Sequence, residues 1–196
     1  MSKKEDKEQI TVEQLGESLF ISAHAAAKSD FQNKTFLKGI GVEQPDTIVL
    51  LELLIFNLFA IMKGIEHSAI PAKLKTLLAD EMHDAFFIWL GKLVIGEETL
   101  LHVKNTLVHR YEEYENAYKK MFEESTDSAM IETSEIIFKN LRTILSSELT
   151  TENMFHLLPL HSMFTHKIIE LSKVVIIIGT HPNKEIITPR IILSRK

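Results

Sequence analysis

The sequence predicts an all-α protein, a single-domain helical bundle of about six helices arranged around one very apolar helix. Glycine and proline are scarce, at seven and five in 196 residues, and they fall mostly between segments whose apolar residues recur every three or four positions. The most apolar segment, residues 48–62, has only two polar side chains, Glu52 and Asn57. No repeat of fixed length is present, which speaks against a solenoid.

Length, charge and composition limit the classes to which the chain can belong. A chain of 196 residues is long enough for one well-buried core, so we predict a single domain over 1–196. The formal net charge of −5 gives little basic surface for phosphates, and no nucleic-acid partner is expected. Since there is no cysteine, disulfides, thiolate catalysis and cysteine-ligated metal sites are excluded. The charged first ten residues do not resemble a signal peptide, and a cytoplasmic location is expected.

Apolar spacing and boundary residues place the first two helices. The first runs from about 11 to 28 and is amphipathic. The second runs from about 46 to 63, is opened by Pro45 and Asp46, and ends near Gly64. Its apolar stretch is shorter than the roughly 20 residues that cross a bilayer, so no membrane span is predicted. Because it is apolar on nearly every side, this helix is expected at the centre of the bundle.

The third and fourth helices are marked by clear starting residues. Pro71 suits the first turn of the third helix, where its missing N–H costs nothing, and this helix runs to about Leu93. Gly96 then breaks the chain. The fourth helix runs from Glu97 to about Glu124, with carboxylates in its first turn, where the helix dipole favours them.

Two further helices are predicted in the second half of the chain. The fifth covers about 130–145, where apolar residues again recur at helical spacing. The sixth follows Thr151 and either kinks or begins at Pro159, since proline is excluded from a helix interior.

The two ends of the chain are expected to lie outside the bundle. Residues 1–9 read as a flexible, charged N-terminus. Residues 174–193 leave two alternatives. In the favoured one the sixth helix continues to about residue 178 and an extended tail covers 180–196; in the other, a small hairpin turns around residues 181–183.

Charged residues of the third helix raise the question of a chemical site. A rotation of 100° per residue places Asp80, His83 and Asp84 on the outer side, where a solvated face is expected. Glu81 falls in the middle of the apolar side, and Glu52 lies within the most apolar helix. A buried carboxylate must pair, accept hydrogen bonds or take up a proton. We therefore expect both glutamates at helix–helix boundaries, each reaching a lysine, an arginine or a tyrosine hydroxyl.

Two inward-facing carboxylates are also a feature of di-iron bundles, which have Glu-x-x-His on two of their helices. None of the nine histidines has a glutamate three positions before it. A di-metal centre is therefore not predicted. The alternative that remains open is a polar ligand pocket lined by both Glu52 and Glu81.

A row of tyrosines follows one side of the fourth helix, at Tyr111, Tyr114 and Tyr118. Tyrosine suits a boundary where the ring is buried and the hydroxyl reaches a polar partner such as Glu52 or Glu81. The alternative is a binding ridge, since tyrosine is enriched in interfaces. The single tryptophan, Trp89, is predicted on the core side of its helix.

One stripe of possible metal ligands runs along the opposite side of the fourth helix. It consists of Glu98, His102, His109 and Glu113. Because this side faces water or a partner, the four are weak surface candidates, and no metal or other cofactor is expected. The chain also lacks HExxH, a phosphate-binding glycine loop and a Gly-x-Ser-x-Gly elbow.

These observations favour a non-enzymatic interaction or regulatory protein that binds a protein partner or associates with itself. An alternative is a binding protein for a small, largely apolar ligand. Its pocket would lie between the second, third and fourth helices and be oriented by Glu52, Glu81 and the tyrosines. A metal-dependent enzyme using histidine and carboxylate ligands has the least support.

Overall fold

The computed structural model shows an all-α protein, as predicted. It describes residues 8–39, 42, 44–93, 96–120, 136, 139–140, 166 and 184–187. Five helices lie in this part of the chain: α1 (Val12–Gln32), α2 (Lys34–Gly39), α3 (Thr47–His67), α4 (Ala72–Gly91) and α5 (Glu97–Lys119). The long helices α1, α3, α4 and α5 correspond to the first four predicted helices. The predicted fifth and sixth helices lie almost entirely outside the described residues.

The helix starts follow from local capping chemistry. Thr11 caps α1 through a capping box, in which its side chain accepts from the backbone N–H of Gln14 and the Gln14 side chain accepts from that of Thr11. Asp46 caps α3 by accepting from two backbone N–H groups, so the predicted opening of this helix is confirmed. Its predicted end near Gly64 was wrong by about one turn, since this buried glycine lies inside the helix and α3 continues to His67.

Helix α3 lies at the centre, as its composition predicted, with 14 of its residues buried. Helix α1 packs on both α3 and α4, and α5 packs mainly on α3. By length and composition alone, α3 is the one described helix that would be able to cross a membrane, with a mean hydropathy of 2.2 in its most apolar window. Of that window, 78% is buried inside the protein, which is equally typical of a core helix.

Two short strands pair beside the helices. Strand β1 (Glu8–Thr11) runs parallel to β2 (Lys184–Ile187), with Glu8 opposite Lys184 and Thr11 opposite Ile187. The N-terminal strand was not predicted, because a four-residue strand leaves almost no periodic signal in the sequence. Strand β2 falls in the segment expected to be an extended tail or one arm of a hairpin, but its parallel pairing with β1 was not predicted. Residues 174–183 and 188–193 lie outside the described residues, so the choice there between helix and hairpin stays a prediction.

The crossing of α1 over α4 is unusually close at Gly16. A Cβ atom added to this residue would lie 2.6 Å from Cβ of Glu81 and 2.9 Å from the backbone nitrogen of Met82. Only a glycine therefore lets the two helices approach this far. Further along, Phe20 contacts Phe86 and His24 contacts Trp89, so the two helices run in the same direction.

Candidate functional site

The buried carboxylate of Glu52 is held by an arginine across the interface between α3 and α5. Arg110 donates from Nε to both carboxylate oxygens, at 3.0 and 3.2 Å, and from Nη2 to Oε1 at 3.0 Å. Burial raises the pKa of Glu52, and Arg110 offsets that effect only in part. The predicted boundary position, with an arginine as partner, is confirmed for Glu52.

Arg110 also links this pair to the surface of α5. Its Nη1 donates to Oε2 of Glu113 at 2.9 Å, and Nδ2 of Asn140 donates to the same oxygen at 3.1 Å. Glu113 is thus a half-buried member of an ion-pair network and does not simply face water, as the stripe pattern had suggested. Such a network holds α5 in register on α3, because one guanidinium bridges a carboxylate of each helix.

The row of tyrosines on α5 is a packed element of the core. Tyr114 is fully buried, with its ring 5.5 Å from that of Phe56, and burial raises the pKa of its hydroxyl far above the ordinary range. The Tyr114 hydroxyl is hydrogen-bonded to Asn140. The Tyr118 hydroxyl and Nε2 of His67 share a hydrogen bond of 3.0 Å. The predicted packing, with rings against the core and hydroxyls that reach polar partners, is confirmed, and the partners found include Asn140 and His67.

His83 is the clearest correction to the predicted helix faces. It was placed on the solvated side of α4, but its Nε2 shares a hydrogen bond of 2.8 Å with the Tyr111 hydroxyl, and it lies half-buried against α5. Burial lowers the pKa of His83, which favours the neutral ring. Asp80 and Asp84 are exposed, as predicted. The prediction failed for His83 because α5 covers a second side of α4.

The possible metal ligands on α5 do not gather into a site. Glu98 and His102 are exposed, and His109 keeps 64% of its side chain in contact with solvent. The contact between Nε2 of His109 and Oε1 of Glu113 measures 3.5 Å. Within the described part of the chain, no three histidine or acidic side chains form a group suited to a metal ion.

A second ion-pair cluster surrounds the buried ammonium of Lys63, at the predicted end of the central helix. Lys63 pairs with Glu66 at 2.7 Å and with Glu115, and it lies 4.9 Å from the centre of the Tyr118 ring. Burial alone would lower the pKa of Lys63, but the two carboxylates outweigh it and raise the pKa. The only sequence signal for this cluster was the spacing of three between Lys63 and Glu66.

The buried amide of Asn57, in the central helix, is unpaired within the described part of the chain. It is fully buried, and neither Oδ1 nor Nδ2 has a hydrogen-bond partner among the residues that the structure describes. An unpaired buried amide costs about 1–3 kcal/mol of stability. Asn57 therefore weakens the fold at its most apolar point.

Replacing Asn57 with leucine is expected to raise the free energy of unfolding by about 1–2 kcal/mol, because a side chain of similar size removes the desolvation cost. Denaturant unfolding followed by circular dichroism measures the change. The matched control is Asn116→Leu at an exposed position of α5, which should stay within about 0.5 kcal/mol of the parent. A clear loss of stability in Asn57→Leu would show that the amide is paired.

The outer contact of α1 with α4 forms a groove with an aromatic wall. We call it the α1–α4 groove; its volume is about 370 Å³. The rings of Phe20 and His24 lie 5.9 and 5.0 Å from that of Trp89. Beside them, Ile21 of α1 and Ile88 of α4 are 56% and 60% exposed. The groove is lined by Glu13, Glu17, Phe20, Ile21, Glu81, Asp84, Ala85, Ile88, Trp89 and Lys92.

The charge around the α1–α4 groove is strongly one-sided. Four acids line it, Glu13, Glu17, Glu81 and Asp84, against a single cation, Lys92. Glu81 is half-buried at the helix crossing, which confirms its predicted boundary position. No lysine, arginine or tyrosine partner for it is found among the described residues, so that partner stays a prediction. Partial burial raises the pKa of Glu81, and the neighbouring negative charges raise it further.

The residues proposed to orient a ligand therefore do not converge. Glu52 and the tyrosines belong to the interface of α3 with α5, whereas Glu81 lies on the side of α4 that contacts α1. His83, two residues after Glu81, already points to the other side of the helix. The sequence identified the unusual acids but not the groove, because exposed isoleucines on two separate helices carry no joint signal in a linear chain.

Comparisons with protein-family models, with curated proteins and with solved structures find no match to this chain.

Proposed function

We propose that this protein is a non-enzymatic interaction protein, and that the α1–α4 groove binds a basic, amphipathic helix of a protein partner. The observation that carries the proposal is the pair of exposed isoleucines, Ile21 and Ile88, one on each wall of a groove rimmed by acids. A cytoplasmic location is part of the proposal, in keeping with a chain that has no cysteine.

Apolar exposure supports a binding surface here. Single exposed apolar side chains are ordinary on a protein surface, but adjacent ones rimmed by polar groups are typical of interaction sites. Ile21 and Ile88 lie on the same groove as the partly buried ring of Trp89. An apolar residue inserted between them would bury both isoleucines and extend contact to the tryptophan.

The charge pattern identifies the chemistry of the partner. Four carboxylates against one ammonium leave the rim negative, and like-charge repulsion already raises the pKa of Glu81. Lysines or arginines on a partner would relieve that repulsion and steer the encounter. A second copy that used the same face would place acid against acid, so a basic partner is favoured over self-association through this groove.

The dimensions fit a short helix. From Glu13 to Ile21 the α1 wall extends about 12 Å, and from Glu81 to Lys92 the α4 wall extends about 16 Å, at 1.5 Å per residue. These lengths match two to three turns of a bound helix. Such a helix would present apolar residues at spacings of three and four to the groove and basic residues to the two rims.

The experiment uses a designed amphipathic peptide with one leucine face and lysines on both flanks. Trp89 is the single tryptophan, so its fluorescence reports binding in the groove directly. We expect saturable binding that weakens with salt, and no binding of the same peptide with glutamate in place of lysine.

Two pairs of matched variants locate the binding. Ile88→Ser and Glu17→Lys should each raise Kd at least tenfold, about 1.4 kcal/mol. Leu101→Ser, which changes an equally exposed residue of α5 (60%), and Glu112→Lys should leave Kd within twofold. Equal affinity of Ile88→Ser and the parent would overturn the proposal. A dimer of the parent protein in light scattering that is lost in Ile88→Ser would also overturn it, because a second copy would then occupy the groove.

A further inference from the structure

A second depression lies at the other end of α1, where the chain turns into α2. Its volume is about 660 Å³, within the range of small-molecule sites. Its apolar walls come from Phe31, Leu37, Val42 and Pro45, and Leu37 and Val42 are buried. The backbone N–H of Val42 donates to the carbonyl of Leu37 at 2.8 Å, which holds Val42 against the end of α2.

The described charged residues that line this depression are both cations. Lys34 and Lys38 both line it, and a spacing of four residues places them on one side of α2. Among the described residues that line it there is no acid, and neither lysine forms an ion pair within the described part of the chain. Lys63, Arg110 and Lys119, in contrast, all pair with carboxylates.

We propose that this depression binds an amphiphile with a single anionic headgroup and an extended apolar chain. The two ammonium groups would hold the headgroup, and Phe31, Leu37 and Val42 would contact the chain. Two cations beside an apolar surface suit such a ligand, because the cations attract its anionic headgroup and the apolar surface contacts its chain. The site shares no residue with the α1–α4 groove, so each proposal stands or fails by itself.

The test is calorimetric titration of the full chain with decanoate below its micelle-forming concentration. Decyltrimethylammonium controls for the headgroup charge and hexanoate for the apolar chain. We expect one decanoate to bind per protein, tenfold or more weaker binding of hexanoate, and no binding of the cation. Decyl phosphate, run in parallel, distinguishes the two anionic headgroups: binding of either supports the proposal, and their ranking identifies the preferred one.

A double variant assigns the headgroup to its two lysines. Lys34→Gln with Lys38→Gln should weaken decanoate binding at least tenfold, while Lys28→Gln with Lys73→Gln, two exposed lysines outside the site, should leave it within twofold. All four positions are exposed, so thermal unfolding should confirm that both double variants are folded. Unchanged affinity in the first double variant, equal binding of the cationic amphiphile, or no binding of either anionic amphiphile would overturn the proposal.

Discussion

Replacing Arg110 with methionine is expected to lower the free energy of unfolding by about 3–5 kcal/mol at neutral pH. The guanidinium makes three hydrogen bonds to the carboxylate of Glu52, and Glu52 is only 5% exposed. Without Arg110, a buried negative charge would be left without a cation. Urea unfolding at pH 7 measures the loss.

The pH dependence of that loss provides a second, independent readout. Burial already raises the pKa of Glu52, and removing Arg110 removes the largest opposing effect, so the pKa should rise further. A carboxyl whose pKa is higher in the folded state than in the unfolded state contributes stability below the unfolded pKa and loses it as the pH rises through the folded value. The destabilisation by Arg110→Met should therefore shrink toward about pH 4.

Two controls separate the lost ion pair from lost packing. The double variant Glu52→Leu with Arg110→Met should be much closer to the parent than Arg110→Met alone, because it removes both charges together. Lys119→Met breaks an exposed pair with Glu115 on the same helix and should cost less than about 1 kcal/mol. A double variant as unstable as the single one would contradict a buried ion pair.

Replacing Gly16 with alanine is expected to lower the free energy of unfolding by about 1–3 kcal/mol. Helix propensity predicts the opposite sign, a gain of about 1 kcal/mol for alanine over glycine in a helix interior. The new methyl group would lie 2.6 Å from Cβ of Glu81 and 2.9 Å from the α4 backbone. Because backbone atoms cannot move aside like a flexible side chain, α1 and α4 would have to separate along their contact.

Gly91 supplies the matched control for this prediction. It also lies in a helix, at the end of α4, but a Cβ added there meets no atom within 4 Å. Thermal unfolding followed by circular dichroism measures both variants, and Gly91→Ala should keep or slightly increase stability. If Gly16→Ala were as stable as Gly91→Ala, the crossing of α1 with α4 would have room for a methyl group, and the prediction would be wrong.

The long helices could be located from the sequence because their signals are local. Asp46 accepts hydrogen bonds from residues two and three positions later, and the periodicity of α1 needs only a few turns to be recognised. Composition alone also placed α3 at the centre, since a helix that is apolar on nearly all sides has to be covered on nearly all sides.

The faces of α4 were predicted less well, because the rotation argument assumes one buried side and one solvated side. Helix α4 contacts α1 through Glu81 and Trp89, and it contacts α5 through His83 and Phe87. Because α5 covers this second side of α4, His83, which was expected to face solvent, shares a hydrogen bond with Tyr111. The side of α4 that packs on α1 is exposed to solvent along its edge, and this edge forms the α1–α4 groove, which contains Glu81.

The sequence by itself determined the helical class, the four long helices, the central position of α3 and the need of Glu52 for a partner. Only the tertiary structure decided which partner that is, since Arg110 lies 58 positions further along the chain. It also decided that Gly16 marks a helix crossing and that Ile21 and Ile88 share one groove. The physical reason is that capping and periodicity act within a few turns, whereas ion pairing, close packing and shared surfaces depend on which helices become neighbours.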